Sequence, residues 1–255
     1  MRSYYFIFAF FFTVYSATGS LPIFSLTEYD PWNMVIGSDS PTFGFYNDSL
    51  LIFLSKDKDN QYKYYYIKAN AIEYNDLVSK LQIRTSDNLK SEYSLSNWTD
   101  QPTIVFNFAG TKISVYGDLR SAFDSIKDKK SKKLIMDDNE DIIAKLPSKL
   151  RDIFSFATTY DNATKKEWMP DFIEVMFWPY EYAPQKSINW PKDWPDLNDK
   201  RTKKRHDNQF SVYLPSSHYQ ELISLLKTMK RKGAVLINDK KMAVSLRFPF
   251  PDEIK

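Results

Sequence analysis

The chain of 255 residues has no cysteine, six glycines and two histidines. The missing cysteine removes thiol nucleophiles, thiolate metal ligands, iron–sulfur ligation and disulfides together. The glycines stand at 19, 37, 44, 110, 117 and 233, and no two have the spacing of a phosphate-cradling loop or a dinucleotide fingerprint. Nucleotide sites of Walker or Rossmann form are therefore excluded. His206 and His218 are twelve residues apart, and neither has an H-E-x-x-H partner. A Ser–His–Asp hydrolase would have to recruit one of these two, and the G-x-S-x-G elbow is absent as well. No catalytic set, metal-ligand set or cofactor motif is legible.

What is present describes a globular chain: 43% hydrophobic, 26% charged and 16% aromatic residues, with 6 Trp, 17 Tyr and 19 Phe. A net charge of only +3 disfavours a nucleic-acid partner. Residues 1–20 read as Met-Arg-Ser, an apolar run YYFIFAFFFTVY, and then small residues. That is the layout of a secretory signal peptide, with cleavage expected after Ser16 or Gly19. The run is shorter than the roughly 20 residues that a membrane-crossing helix needs, and no later stretch approaches that length. Export without cysteine points to a bacterial periplasm, or to secretion, with aromatic packing in place of disulfides. Sequons at Asn47, Asn97 and Asn162 point the other way, towards a eukaryotic secretory route, but arise by chance in a chain rich in Asn and Ser.

Periodicity predicts an α+β fold. Residues 20–47 have no sustained period and read as an irregular arm. Strands are expected at 50–54 and 62–69, a helix at 74–81, and a hairpin at 103–108 and 112–116. Charged helical segments follow at 118–127 and 141–156. Strands return at 172–178 and 209–214, then a helix at 218–230 entered through a Ser217-x-x-Gln220 capping box, and strands at 234–237 and 242–248.

The two strand-rich stretches resemble each other. YNDLVSKL (74–81) aligns with YQELISLL (219–226), Tyr65, Ile67 and Ala69 with Phe210, Val212 and Leu214, and IVFN (104–107) with VLIN (235–238). These matches predict an internal duplication of a β-β-α-β-β unit joined by a charged helical segment. The organisation is then a signal peptide at 1–19, an arm plus first repeat at 20–116, a helical connector at 117–167, and a second repeat at 168–255.

The copies differ in their connections. The first enlarges residues 82–101, and the second carries a loop of about thirty residues, 179–208, which is uncommon in a compact domain. That loop holds Trp190 and Trp194, each followed by proline, then Arg201, Lys203, Lys204 and Arg205. Two indoles beside a cationic edge suit a partner's surface. The competing reading buries the indoles in the body and leaves the charges as a solvated face.

Other candidates have plainer explanations. The lysine run at 127–133 and the one at 227–232 are solvated or helix-terminal charge. The acidic stretch 137–141 reads as a helix N-terminus, and neither it nor Asp57-x-Asp59 has the loop of a calcium-binding hand. Ser224-x-x-Lys227 lacks the companion motifs of penicillin-recognising enzymes. Glu174, Glu181, Asp193 and Asp196 flank the long loop and are the carboxylates from which a glycoside-cleaving pair would be drawn. The expected function is an exported, non-enzymatic module that binds another protein, an immunity-type inhibitor of a toxin being one instance. The alternative is a hydrolase of cell-envelope polymer using a carboxylate pair.

Overall fold

The computed structural model describes residues 21–33, 35–83, 88–127 and 143–253. The expected signal peptide, the lysines at 128–133 and the acidic stretch at 137–141 lie outside them. The fold is mixed α and β, with two sheets and few helices. Among the described residues no helix is long and apolar enough to cross a membrane.

The first sheet has eight strands: β1 (Pro22–Tyr29), β2 (Pro41–Tyr46), β3 (Leu50–Lys56), β4 (Tyr62–Lys68), β5 (Glu92–Ser94), β6 (Thr103–Phe108), β7 (Thr111–Tyr116) and β8 (Lys166–Glu167). Their order is β5-β7-β6-β1-β2-β3-β4-β8. Alternating residues such as Phe24, Leu26, Phe43, Phe45, Phe53 and Ile67 point to one face. That face is covered by α1 (Ala71–Lys80), α2 (Leu119–Lys127) and α3 (Ser148–Thr159), which contribute Leu77, Leu119 and Ile153 to one core. α1 begins at Asn70, whose side chain accepts from the Ile72 and Glu73 amides while Glu73 accepts from the Asn70 amide. This reciprocal cap satisfies donors that the first helical turn leaves free.

The second sheet has six strands: β9 (Phe172–Pro179), β10 (Ile188–Asn189), β11 (Lys203–His206), β12 (Gln209–Pro215), β13 (Val235–Ile237) and β14 (Lys240–Arg247). They run β10-β13-β14-β9-β12-β11. α4 (Tyr219–Lys227) buries Leu222 in the core on one side of this sheet. Val35, from the β1–β2 connection, is buried with Met176, Tyr180 and Ala243 in a separate cluster.

The chain end joins the two sheets. Phe250 lies with Tyr46, Leu50 and Ile52 on the first sheet, Tyr46 donates to Asp252 at 2.7 Å, and Glu253 pairs with Arg247 of β14.

Three expectations change. Residues 20–47 are not an irregular arm, because β1 and β2 lie in the middle of the first sheet. The expected connector is part of the first core, since α2 and α3 bury Leu119, Leu150 and Phe154 there. The duplicated unit does not appear in the strand order. In the first half β1 and β2 separate the β6–β7 hairpin from β3, and β6 is the inward strand; in the second half β14, the later strand of its hairpin, pairs directly with β9. The matched Asn107 and Asn238 are also not equivalent. Asn107 lies within β6, two residues before the Ala109-Gly110 turn, whereas Asn238 and Asp239 form the β13–β14 turn itself, both with positive φ.

Candidate functional site

The long excursion between β9 and β12 is ordered by a chain of local turns. Backbone i to i+3 bonds close Pro191–Trp194, Asp196–Asp199 and Asp199–Thr202. Asp196 and Asp199 each start such a turn and accept from the amide two residues on, Asn198 at 2.8 Å and Arg201 at 2.9 Å. The excursion is tied to the sheet through β10, which runs parallel to β13, and through Asn238. That side chain accepts from the Leu197 amide at 3.0 Å and donates to Asp196 at 2.7 Å.

The two indoles point inward. Trp190 and Trp194 are 6% and 7% exposed and belong to the second core with Phe177 and Val212. Their rings meet edge to face at 5.1 Å, and the Trp190 indole N–H donates to the Pro195 carbonyl at 2.9 Å. Neither indole is available as a docking anchor, so the expectation that they face a partner is replaced by an anchoring role.

The cations divide. Arg205 donates to Glu174 and, at 2.9 Å, to Ser211, in a cluster that Arg247 completes from the other side at 3.0 Å. Glu174 is 1% exposed. Burial alone would raise its pKa, but the Ser211 hydrogen bond and the charges of Arg247 and Arg205 outweigh that and lower it. Arg205 is thus largely structural. Arg201 lies over the Phe172 ring at 5.5 Å and near Asp199 at 3.5 Å. Lys203 lies over Tyr213 at 5.3 Å and Lys204 is 3.7 Å from Asp207, and every residue of β11 is exposed.

Among the described residues β11 is the last strand of its sheet, with β12 on one side only. A register shift between Lys204 and His206 bulges the strand at Arg205. Such a bulge re-aims one side chain, here towards Glu174, and leaves Lys203, Lys204 and His206 along an open edge.

Residues 193–201 of the excursion form, with Pro215 and His218, a cleft of about 440 Å³, lined in part by Asp193, Trp194, Asp196, Asp199, Arg201 and His218. Sequence inspection missed His218 as part of this surface. The Asn238 side chain and then the Asn198 amide lower the pKa of Asp196, so it is ionised at neutral pH and holds no proton to give. Of the four carboxylates considered for hydrolysis, Glu174 is buried and bound by two arginines. Glu181 is exposed and does not line the cleft with Asp193 and Asp196.

Ser217 does not form the expected capping box. A short 3-10 turn, Ser216–His218, precedes α4, and no side chain caps the helix. Ser224 donates to the Gln220 carbonyl at 2.7 Å, an architectural contact. The Asp57 carboxylate accepts from the Asp59 and Gln61 amides and pairs with Lys63, which fixes the β3–β4 turn.

No protein-family model matches this chain, and neither a curated protein nor a solved structure is significantly similar to it.

Proposed function

We propose that this chain is an exported, non-enzymatic module of the bacterial periplasm that binds another protein through the exposed surface of the 179–208 excursion, inhibition of a toxic partner being the concrete instance. One observation carries the reading. The excursion is anchored by two buried indoles and the Asn238 clasp, and it holds an exposed strand with Lys203 and Lys204 at the edge of a packed sheet. Ordering that surface before binding reduces the entropy lost on association. For the hydrolase alternative the same geometry removes Glu174, which is bound by two arginines, and leaves Asp196 only the role of nucleophile or base, since it is held ionised.

The test is direct binding to the exported proteins encoded beside this gene, measured by calorimetry with the mature protein. Complex formation that weakens in the combined R201Q/K203Q/K204Q variant, with an unchanged melting temperature, supports the reading. Arg205 is left intact because its loss would disturb Glu174. Turnover of an envelope polysaccharide that disappears in D193N would overturn it.

A further inference from the structure

We infer that the open edge of β11 accepts an acidic, extended segment of a partner as an additional strand of the second sheet. This rests on the protein-binding reading above and names the partner's chemistry. An edge strand presents unpaired backbone donors and acceptors, and an incoming strand can satisfy them. Here that edge is Lys203-Lys204-Arg205-His206, with Arg201 just upstream.

Charge decides which strand can add. Lysine on an edge strand prevents pairing between copies, because two such strands would bring like charges opposite each other. The same side chains favour a strand carrying Glu or Asp. Lys203 and Lys204 are held near the edge by weak contacts, the Tyr213 ring at 5.3 Å and Asp207 at 3.7 Å, which an incoming carboxylate can supplement or replace. Arg205 is already committed to Glu174 and Ser211, so the edge can bind acid without withdrawing the cation from the buried cluster.

The experiment uses the full mature protein and four probes: a peptide of alternating Glu and Val, its Lys–Val counterpart, an equally acidic peptide with proline at alternate positions, and a deoxythymidine oligonucleotide. Affinity is read by fluorescence anisotropy, and the site by amide hydrogen exchange. The Glu–Val peptide should bind saturably and protect amides within residues 203–206. The K203E/K204E variant should weaken it about tenfold without lowering the melting temperature, and K203Q/K204Q should weaken it less. The Lys–Val peptide should not bind.

Equal binding by the proline-containing peptide would show charge attraction without strand addition and overturn the inference. Equal binding by the oligonucleotide would assign the edge to nucleic acid and overturn it too. So would protection at any other edge, or no binding by the Glu–Val peptide. A protein partner that binds K203E/K204E undiminished would refute strand addition at β11 while leaving the protein-binding reading in place.

Discussion

The seam between the chain end and the first sheet gives a sharp test of the architecture. Gly44, in β2, faces the Phe250 ring so closely that a Cβ there would lie 2.8 Å from Cδ2 and Cε2, and 3.3 Å from Tyr46. Phe250 is fully buried and meets Trp168 and Tyr64 at ring distances of 5.1 and 5.7 Å, so it has no open direction in which to retreat. Gly44→Ala should therefore destabilise by about 1–3 kcal/mol through overpacking. Phe250→Ala alone should cost about 3–5 kcal/mol. In the double variant the added methyl no longer meets the Phe250 ring and keeps only the 3.3 Å approach to Tyr46, and alanine in a strand is favoured over glycine by about 0.5–1 kcal/mol. Gly44→Ala should then become neutral or stabilising, giving a coupling of about 1–4 kcal/mol between the two sites. Urea unfolding of all four proteins, followed by tryptophan fluorescence, measures this. Additive losses, or a single Gly44→Ala variant within about 0.5 kcal/mol of the parent, would refute the seam.

Trp194→Ala should lower stability by about 3–5 kcal/mol, seen as a melting temperature lower by roughly 6–20 °C, because the indole is core and not surface. Glu174→Gln should destabilise by about 3 kcal/mol at neutral pH, since it deprives two arginines of a buried carboxylate. The pKa of Glu174 is lowered, so its contribution is complete above the ordinary glutamate value and is lost as pH falls through the folded one. Glu253 has the opposite sign: burial raises its pKa against Arg247 and the Phe250 amide, and its share is present at acid pH and lost as pH rises through the raised value. Thermal melting between about pH 3 and 7 should accordingly show a shallower acid limb in Glu174→Gln than in the parent. For export, intact mass of protein from the envelope fraction should place the mature N-terminus between Ala17 and Leu21, and Met1 retained in the cytosol would sink the periplasmic assignment.

Local patterns in the sequence located most of the elements but not their arrangement. β4, β9, β12 and α1 came from alternation and from 3–4 spacing, which depend only on near neighbours. β2 was illegible for a physical reason. Phe43 and Phe45 alternate under the helices, but over three residues only, and Gly44 and Tyr46 lie on a second buried face against Phe250, so PTFGFY lacks the regular polar positions of a half-buried strand. β1 does alternate, but register shifts at Pro22/Phe24 and Leu26/Thr27 interrupt its pairing with β2. The apparent duplication failed similarly. Amphipathic helices and hairpins share the same periods, so Leu77 and Leu222 are both buried while the strands around them pair in different orders. The capping box that does form, Asn70 with Glu73, lies ahead of the 74–81 helix that the spacing predicts, whereas a 3-10 turn takes the place before α4 that Ser217-x-x-Gln220 suggests.

Of the two readings that the sequence leaves open for the indoles, the structure has the one that buries them in the body. In an excursion of about thirty residues without a disulfide, something else must offset the entropy of ordering the chain. The large apolar side chains are the available means, and placing two of them in the core fixes the turns between them. Charged groups cannot serve this purpose without a buried counterion, and among the described residues Arg205 is the cation of the excursion that has one, in Glu174. The remaining cations are left outside by elimination. A Trp-Pro pair beside a basic run can thus mean an anchor beside a presented edge, and the indole N–H distinguishes the cases: it needs an internal acceptor when buried, which Pro195 supplies to Trp190.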